Sequence, residues 1–380
     1  MFPGIRLMDT THTTVKGGGV VKKVSVTLFA AVWTAALLLP LYALSAVTDT
    51  TVSARHAALY EPVTDTFLYE KHGDDRTPMA STTKVMTALV VLEQSNLDVT
   101  VSIPGEACGL EGSSIYMKPG ERMTIRDLLY ALLLQSANDA AAALAITISG
   151  SIEAFAGKMN ERASALGLTN THFVNPHGLD DPEHFTSAKD LARIAAAAME
   201  ISEFRDIVGT VKYTIPSGSN GSTRVLFNHN RLLRLYGDAV GVKTGFTKKS
   251  GRCLVGAACR DGMTLISVTL DAPNDWNDHI RLLDYGFSKM ENRLLCPART
   301  FTYELPLIDG SGLQVCVNSE EARGILPKGA EMPERRIELP HFLVARQKNG
   351  AVIGSLQYYY NGKMISDVPL VIDASSSVKE

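Results

Sequence analysis

The chain has 380 residues, of which 45% are hydrophobic and 20% are charged, a profile typical of a globular protein. This composition excludes a disordered, collagen-like or multi-span membrane protein. The 37 basic and 40 acidic side chains give a formal net charge of −3, which provides no overall field to attract nucleic acid.

The N-terminal region has the pattern of an export signal. Several basic residues precede an uncharged apolar run over residues 24–47, which contains Pro40 and ends in small residues. A basic start, an apolar stretch and a small-residue site are typical of a secretory signal peptide. The run is also long enough to cross a bilayer of about 30 Å. Residues 1–48 are therefore predicted to be a cleaved signal peptide or an N-terminal membrane anchor, and the protein is expected to be exported.

The rest of the chain divides into two regions. Between residues 49 and 292, helical patterns (81–93, a helix capped at Thr124, an Ala-rich helix from Asp139, and 188–199) mix with strand patterns over residues 239–271. Residues 293–380 contain short apolar runs broken by Asp-Gly, Lys-Gly and Asn-Gly turns, which predict a small all-β domain. We therefore expect a mixed α/β (α+β) domain over residues 49–292, followed by a β-sandwich-like domain over 293–380.

The five cysteines and the histidine-rich segment do not indicate a metal site or a disulfide framework. The number of cysteines is odd, and no pair has a zinc-type spacing. Cys253 and Cys259 share a parity within one apolar strand pattern and so could not bridge, and we expect them to be buried thiols. His177 and His184 flank Asp180 and Asp181, but not in a HExxH-type pattern. We expect no metal and no cofactor, and expect Asp180 or His184 to hold a loop by hydrogen bonds.

The first of three chemistry-bearing motifs is Ser81-Thr82-Thr83-Lys84. Residues three apart lie on one face of a helix, so the amine of Lys84 can reach the hydroxyl of Ser81. Serine is a weak nucleophile until a neighbouring base accepts its proton, and a buried lysine can be that base. Because the same spacing recurs at Ser376, this motif alone also fits an ordinary helix start.

Two further motifs follow. Ser136-Ala137-Asn138 lies between two helical patterns and provides a hydroxyl to relay a proton and an amide to hold a carbonyl, although Ser and Asn also favour helix caps. Lys243-Thr244-Gly245 lies in a predicted strand, where a glycine often marks the close approach of a ligand or another backbone. The alternative for this third motif is a solvated edge strand with a bulge.

Together and in this order, the motifs resemble those of the penicilloyl-serine transferases, and in particular the low-molecular-mass penicillin-binding proteins that act as D-alanyl-D-alanine carboxypeptidases. Supporting stretches include TPMASTTKVMTAL, LLLQSANDAAAALA and GVKTGFTKKSGRCLVGAACRDG. The resemblance covers residues from about 55 to 290, and extends more weakly to the C-terminal β region. It implies a β-lactamase/transpeptidase-like catalytic domain with an antiparallel sheet.

The resemblance also implies a substrate and residue roles. The substrate would be a peptidoglycan stem peptide ending in D-Ala-D-Ala, which β-lactams mimic, and the site of action would be extracytoplasmic. Ser81 would be the acylated nucleophile, Lys84 its general base, Ser136 a proton relay and Asn138 a carbonyl holder. The substrate-binding strand would contain Lys243, Thr244, Gly245 and Phe246, with the backbone N–H groups of Ser81 and Phe246 as the oxyanion hole.

The sequence departs from the family pattern at one position. Relatives place an arginine that binds the substrate carboxylate about eleven residues before the Gly-Phe that ends the catalytic domain, whereas this chain has Asp275 there, before Gly286-Phe287. We expect Asp275 to face water or to pair with a cation. Lys248 is the sequence-based candidate for the missing positive charge.

Two alternative functions remain at this point. A β-lactamase would need a deacylating glutamate, and none of the glutamates between the second and third motifs lies in an E-x-x-L-N context. A non-catalytic β-lactam or peptidoglycan sensor would not require all three motifs to be intact.

Overall fold

The computed structural model describes residues 51–215 and 223–376. The predicted signal or anchor over residues 1–48 therefore lies outside the described residues. Within the described ranges no single helix has the length and apolar character needed to cross a bilayer. The helices Asn138–Ser149 and Ile152–Ala165 satisfy that test only as a pair, bent by 84°.

A five-stranded antiparallel sheet forms the centre of the first region. The strands are β1 (His56–Glu61), β2 (Thr66–Lys71), β7 (Ala239–Thr247), β8 (Gly251–Arg260) and β9 (Met263–Leu270). Their order in the sheet is β2-β1-β9-β8-β7. The hairpin between β8 and β9 turns at Asp261 and Gly262, both at positive φ, as the Asp-Gly pair predicts. The sequence-based prediction of strands over residues 239–271 is confirmed, and β7 lies at an edge of the sheet.

Helices pack against this sheet and against one another. They are α1 (Lys84–Gln94), α2 (Ile125–Leu134), α3 (Asn138–Ser149), α4 (Ile152–Ala165), α5 (Ala188–Met199), α6 (Ser202–Gly209), α7 (Leu232–Leu235) and α8 (Asp275–Lys289). Every residue of α3 from Asn138 to Ala145 is buried, because its small side chains allow neighbouring helices to approach closely. Thr124 caps α2 by accepting a hydrogen bond from the backbone N–H of Asp127, as predicted.

Two small antiparallel sheets lie beside the helices: β3 (Thr100–Ser102) with β4 (Arg122–Thr124), and β5 (Lys212–Ile215) with β6 (Arg224–Phe227). Arg224 on β6 connects them by an ion pair with the buried Glu121, directly before β4. Arg224 also donates a hydrogen bond of 3.0 Å to the carbonyl of Ile115. These contacts hold in place the segment around Ile115, which precedes the second motif in the chain.

In the described part of the C-terminal region, residues 290–376, the regular elements are strands and a last 3-10 turn. The strands are β10 (Met290–Cys296), β11 (Thr302–Pro306), β12 (Leu313–Asn318), β13 (Ala322–Pro327), β14 (Glu334–Glu338), β15 (Val352–Tyr360) and β16 (Lys363–Ile372). Five of them form a sheet of order β11-β12-β16-β15-β14, and β10 pairs with β13. Leu305, Cys316, Leu356 and Leu370 belong to a hydrophobic cluster of this region. The all-β expectation is confirmed, while the boundary between residues 292 and 293 stays a prediction.

Candidate active site

Ser81 lies in a 3-10 turn, Ala80–Thr83, that leads directly into α1. Ala80 has φ of 46°, in the left-handed region that a residue with a side chain rarely adopts. The turn is held from within, because the Thr82 hydroxyl donates to the carbonyl of Met79 and the Thr83 hydroxyl to that of Ala80. The predicted helix therefore begins as a tighter turn, which projects Ser81 into a cleft.

Lys84 is fully buried and makes three short contacts. Its Nζ lies 2.9 Å from Ser81 Oγ, 2.7 Å from Asn138 Oδ1 and 2.5 Å from the carbonyl oxygen of His177. Burial lowers the pKa of the Lys84 amine well below its ordinary value. The charge of Lys243 lowers this pKa further, whereas the carboxylate of Asp139 raises it. The first motif therefore brings a hydroxyl and a readily neutralised amine together.

The second motif lies at the junction of α2 and α3. Ser136 has φ of 59°, and Asn138 is the first residue of α3. The Asn138 side chain donates to the carbonyl of Glu111 at 2.6 Å and accepts from Lys84. A Cβ added to Gly112, which has φ of 93°, would lie 2.7 Å from Asn138 Nδ2, so only glycine fits there.

The third motif lies on β7. The Nζ atom of buried Lys243 donates to Ser136 Oγ at 3.1 Å and to the carbonyl of Thr244 at 2.8 Å. Burial lowers the pKa of Lys243 to about 7. A Cβ on Gly245 would lie 3.0 Å from the backbone nitrogens of Ser81 and Thr82, so β7 passes directly beside the Ser81 turn. This close approach is what the glycine in the strand indicated.

A loop over residues 175–184 covers the buried side of the motif cluster. Thr87 Oγ1 donates to the carbonyl of Pro176 at 2.6 Å, and Thr247 Oγ1 donates to Asp180 Oδ1 at 3.0 Å. His184 accepts at Nδ1 from the backbone N–H of Val174, so its Nε2–H donates to Thr83 Oγ1 at 2.8 Å. Asp180 and His184 thus hold the loop by hydrogen bonds, as predicted.

The histidines of this loop are in their neutral form near pH 7. Burial lowers the pKa of His177 to about 3 and that of His184 to about 4. In the described part of the chain, no group of three or more His, Cys, Asp or Glu side chains is arranged to hold a metal ion.

The motifs open into a cleft of about 440 Å³. Its lining comprises Ser81, Ser113, Ser136, His229, Arg231, Thr244, Gly245, Phe246, Arg252, Cys253, Asp275 and Trp276. A larger cavity of about 850 Å³ is lined by other residues, among them Met199, Val240 and Cys259, and by no motif residue. Of these two cavities among the described residues, the smaller cleft is the one where a nucleophile, a buried base and hydrogen-bond donors meet, and we assign the chemistry to it.

The structure locates the two charged residues that the sequence singled out near the substrate carboxylate. Asp275 pairs with a cation, as expected: Arg252 Nη2 lies 2.8 and 2.9 Å from its two carboxylate oxygens. Lys248, the sequence-based candidate for the missing charge, is instead exposed on the turn between β7 and β8 and is not part of the cleft lining.

The two cysteines that were expected to be buried differ in the structure. Cys253 is buried, as expected. Cys259 is exposed, which corrects that expectation, because it lies near the end of β8 beside the larger cavity.

Four side chains that shape the cleft were not predicted from the sequence: Arg231, Arg252, Trp276 and Asp139. The first three line it. Buried Asp139 accepts hydrogen bonds from Ser114 Oγ at 2.6 Å and from the backbone N–H of Met117 at 3.2 Å, holding the cleft's rim segment. The available signal for Asp139 was its place directly after the second motif. The two arginines lie in no motif, and folding brings them together at the cleft.

Comparisons with known proteins agree with this geometry. The chain is 31% identical over 328 residues to the D-alanyl-D-alanine carboxypeptidase DacF of Bacillus subtilis, covering 83% of this chain and 84% of that protein. It is 34% identical over 341 residues to DacC of Escherichia coli, also named a D-alanyl-D-alanine carboxypeptidase, covering 84% of each chain.

Solved structures show the same fold. A crystal structure of a Streptomyces DD-transpeptidase matches with a TM-score of 0.61 and 38% identity, over 64% of this chain and all of that one. The D-alanyl-D-alanine carboxypeptidase DacD from Francisella tularensis matches with a TM-score of 0.61 and 26% identity, over 88% of this chain and 97% of that one. The family model of peptidase S11, D-alanyl-D-alanine carboxypeptidase, matches residues 43–274, more than half of the chain. The chain belongs to the peptidase S11 family of D-alanyl-D-alanine carboxypeptidases.

Proposed function

We propose that this enzyme removes the terminal D-alanine from peptidoglycan stem peptides ending in D-Ala-D-Ala, through an acyl-enzyme on Ser81. The contact between Lys84 Nζ and Ser81 Oγ, at 2.9 Å inside a buried cluster, carries the proposal. A neutral amine has two N–H groups and one lone pair. Two of the three Lys84 contacts are carbonyl oxygens, which take both N–H groups. The lone pair is then directed at the Ser81 hydroxyl, as a general base requires.

In the acylation step, the Ser81 oxygen bonds to the carbonyl carbon of the penultimate D-Ala while Lys84 accepts the hydroxyl proton. The C–N bond to the last residue breaks, and its nitrogen takes up a proton and leaves as free D-Ala. Ser136 is placed to relay this proton, because its hydroxyl accepts a hydrogen bond from the ammonium of Lys243. Asn138, tethered by Glu111 and Lys84, holds the substrate's peptide carbonyl.

The substrate backbone is proposed to lie along β7 as an added strand, since β7 is an edge of the sheet. Thr244, Gly245 and Phe246 line the cleft there. The oxyanion would be held by the backbone N–H groups of Ser81 and Phe246, a proposal supported by the close approach of Gly245 to the Ser81 turn. In deacylation, water adds its hydroxyl to the acyl carbon and its proton returns through Lys84, which regenerates Ser81.

The same cleft is proposed to react with β-lactams, which mimic the D-Ala-D-Ala end. The amide ring bond opens on attack by Ser81 and leaves an ester that hydrolyses slowly. A β-lactamase would hydrolyse that ester rapidly, so the lifetime of the adduct separates the two functions.

To test the activity, the purified full-length chain is incubated with a muramyl pentapeptide, and free D-Ala is measured. We expect D-Ala release by the wild-type chain and none by Ser81→Ala. Release that persists in Ser81→Ala would refute the proposed nucleophile, and no release by either chain would refute the activity. Lys249→Ala, an exposed change on the turn after β7, is the matched control and should release D-Ala as the wild type does.

For location, we propose that the enzyme acts outside the cytoplasm, with residues 24–47 as the export signal or the tether to the membrane surface. Two folded parts, residues 49–292 and 293–380, are proposed to follow. Cell fractionation of a chain lacking residues 1–48 is expected to yield soluble protein, and membrane retention of that form would contradict the proposed tether.

A further inference from the structure

The end of the cleft next to Thr244 contains two arginines and one carboxylate that belong to none of the three motifs. Arg231, Arg252 and Asp275 surround the half-buried Trp276 there. We propose that Arg252, positioned by Asp275 and Trp276, binds the free C-terminal carboxylate of the substrate and sets the preference for it. This inference rests on the proposed function and identifies a specificity-determining residue for the same site.

The register of the sheet places Arg252 beside the substrate strand. Arg252 on β8 is paired directly with Phe246 on β7, and Thr244 lies two residues before Phe246. All three residues line the cleft. A peptide added along β7, with its scissile carbonyl at the backbone N–H of Phe246, therefore ends within reach of the Arg252 side chain.

Asp275 holds the guanidinium in a defined orientation. Both Asp275 oxygens accept from the same nitrogen, Arg252 Nη2, and one of them also accepts from the backbone N–H of Trp276 at 2.9 Å. The carboxylate is first in α8, where the free N–H groups of the helix start favour a negative charge. Its side chain is only 4% exposed, whereas that of Arg252 is 45% exposed. The carboxylate therefore acts as the fixed partner, and the guanidinium faces the solvent of the cleft.

The contacts recorded among the described residues use only Nη2 of Arg252, so its Nη1 and Nε donors remain available to a ligand. Nη1 and Nε lie on different edges of the guanidinium, so each can independently donate a charge-assisted hydrogen bond to a carboxylate oxygen. The Arg252–Asp275 pair thus places the positive charge on strand β8, whereas the resemblance implies an arginine at position 275 on the helix.

Arg231 is the competing cation in this part of the cleft. Its guanidinium carbon lies 5.9 Å from the centre of the Trp276 ring, and that of Arg252 lies 5.7 Å from it. Arg231 is exposed, and the contacts recorded among the described residues include no side-chain hydrogen bond for it. An untethered side chain loses more conformational freedom on binding, so the geometry favours the preorganised Arg252.

The experiment compares kcat/KM for a peptide ending in D-Ala-D-Ala with that for its C-terminal amide. Loss of a charge-assisted hydrogen bond to a carboxylate predicts that Arg252→Ala lowers kcat/KM on the acid by roughly ten- to one-hundred-fold. Activity on the amide is expected to stay within about two-fold, which also shows that the variant is folded. Asp275→Asn is expected to reduce the acid preference partially and mainly through KM, because it loosens the guanidinium without removing it. The Lys249→Ala control should match the wild type.

Removing Arg252 alone leaves the buried Asp275 unpaired, which destabilises the protein for reasons unrelated to binding. The double variant Arg252→Gln/Asp275→Asn removes both charges and keeps a neutral hydrogen-bonding pair. We expect this double variant to keep its activity on the amide and to lose the preference for the acid.

The outcomes separate the inference from the function on which it rests. A wild-type chain that releases no D-Ala from either peptide refutes the proposed function itself. If the wild type is active and the double variant keeps its acid-to-amide ratio, the role of Arg252 is refuted. A loss of that ratio in Arg231→Ala, with no loss in the Arg252 variants, would also overturn the inference and assign the carboxylate to Arg231.

Discussion

The Nζ atom of Lys243 lies 3.1 Å from the Oγ atom of Ser136, which connects the edge strand of the sheet to the junction of two buried helices. The contact joins residues 107 positions apart in the chain. Because Lys84 lies on the other side of the same cluster and contacts both Ser81 and Asn138, the two buried amines flank the hydroxyls between them. Two nearby amines of this kind can divide the proton transfers of one reaction.

Ser81→Ala is expected to abolish both penicillin labelling and D-Ala release while leaving the fold intact, because the nucleophilic oxygen is removed from a partly exposed position. Lys84→Ala should lower the rate by at least about a thousand-fold, since residues that act as a unit fail together. Mass spectrometry of a penicillin-treated digest should locate the adduct on the Ser81 peptide. An adduct near Ser376, which has the same motif spacing, would contradict the assignment.

The rate of acylation is expected to depend on pH in a bell shape. Its acidic limb reports Lys84, which must be neutral to accept a proton and whose pKa burial lowers well below the ordinary value. The alkaline limb reports Lys243, whose pKa burial lowers to about 7 and whose charge is lost above that value. Stopped-flow labelling across pH 5 to 10 gives both limbs. Lys243→Arg keeps its charge at every pH used and should remove the alkaline limb; an unchanged limb in this variant would refute the assignment.

Lys243 is also expected to destabilise the protein at low pH. Its pKa is about 7 in the folded chain and near its ordinary value when unfolded, so between these values the unfolded state binds more protons. The penalty is complete below pH 7 and disappears as the pH rises towards 10.5. Lys243→Met should therefore raise Tm by a few degrees at pH 6 and by less at pH 9. Calorimetry at the two pH values measures this, and an equal gain at both would show that burial of the charge is not the cause.

Gly178 is expected to be irreplaceable. It has φ of 87°, and a Cβ there would lie 1.9 Å from the carbonyl oxygen of Ala80, so the loop must move away from the Ser81 turn. Gly178→Ala should lower the free energy of unfolding by at least about 2 kcal/mol and reduce acylation.

Gly157 provides the matched control for this substitution. It lies within α4, and a Cβ there would meet nothing within 4 Å. Gly157→Ala should stabilise the protein by roughly 0.5–1 kcal/mol through helix propensity. Denaturant unfolding compares the two variants, and similar effects of both would contradict the close packing of the loop.

Local sequence patterns were sufficient to predict much of the fold. The helix cap at Thr124, the hairpin at Asp261-Gly262 and the strands of residues 239–271 depend on neighbouring residues, and the structure confirms them. The contact between Ser81 and Lys84 was also predictable, because residues three apart meet on a helical turn. The catalytic roles of these residues stay predictions.

Only the tertiary structure decided which charges enter the cleft. Lys248 follows the third motif in sequence, yet it lies on an exposed turn, whereas Arg252 reaches the cleft because antiparallel pairing places it opposite Phe246. Asp275 meets Arg252 because α8 begins beside β8, a proximity that no short spacing in the sequence encodes. Burial likewise sets the lowered pKa values of Lys84 and Lys243, since desolvation depends on what the whole fold packs around each amine. The sequence alone thus determined the type of chemistry through local motifs, and long-range packing determined the electrostatics of the site.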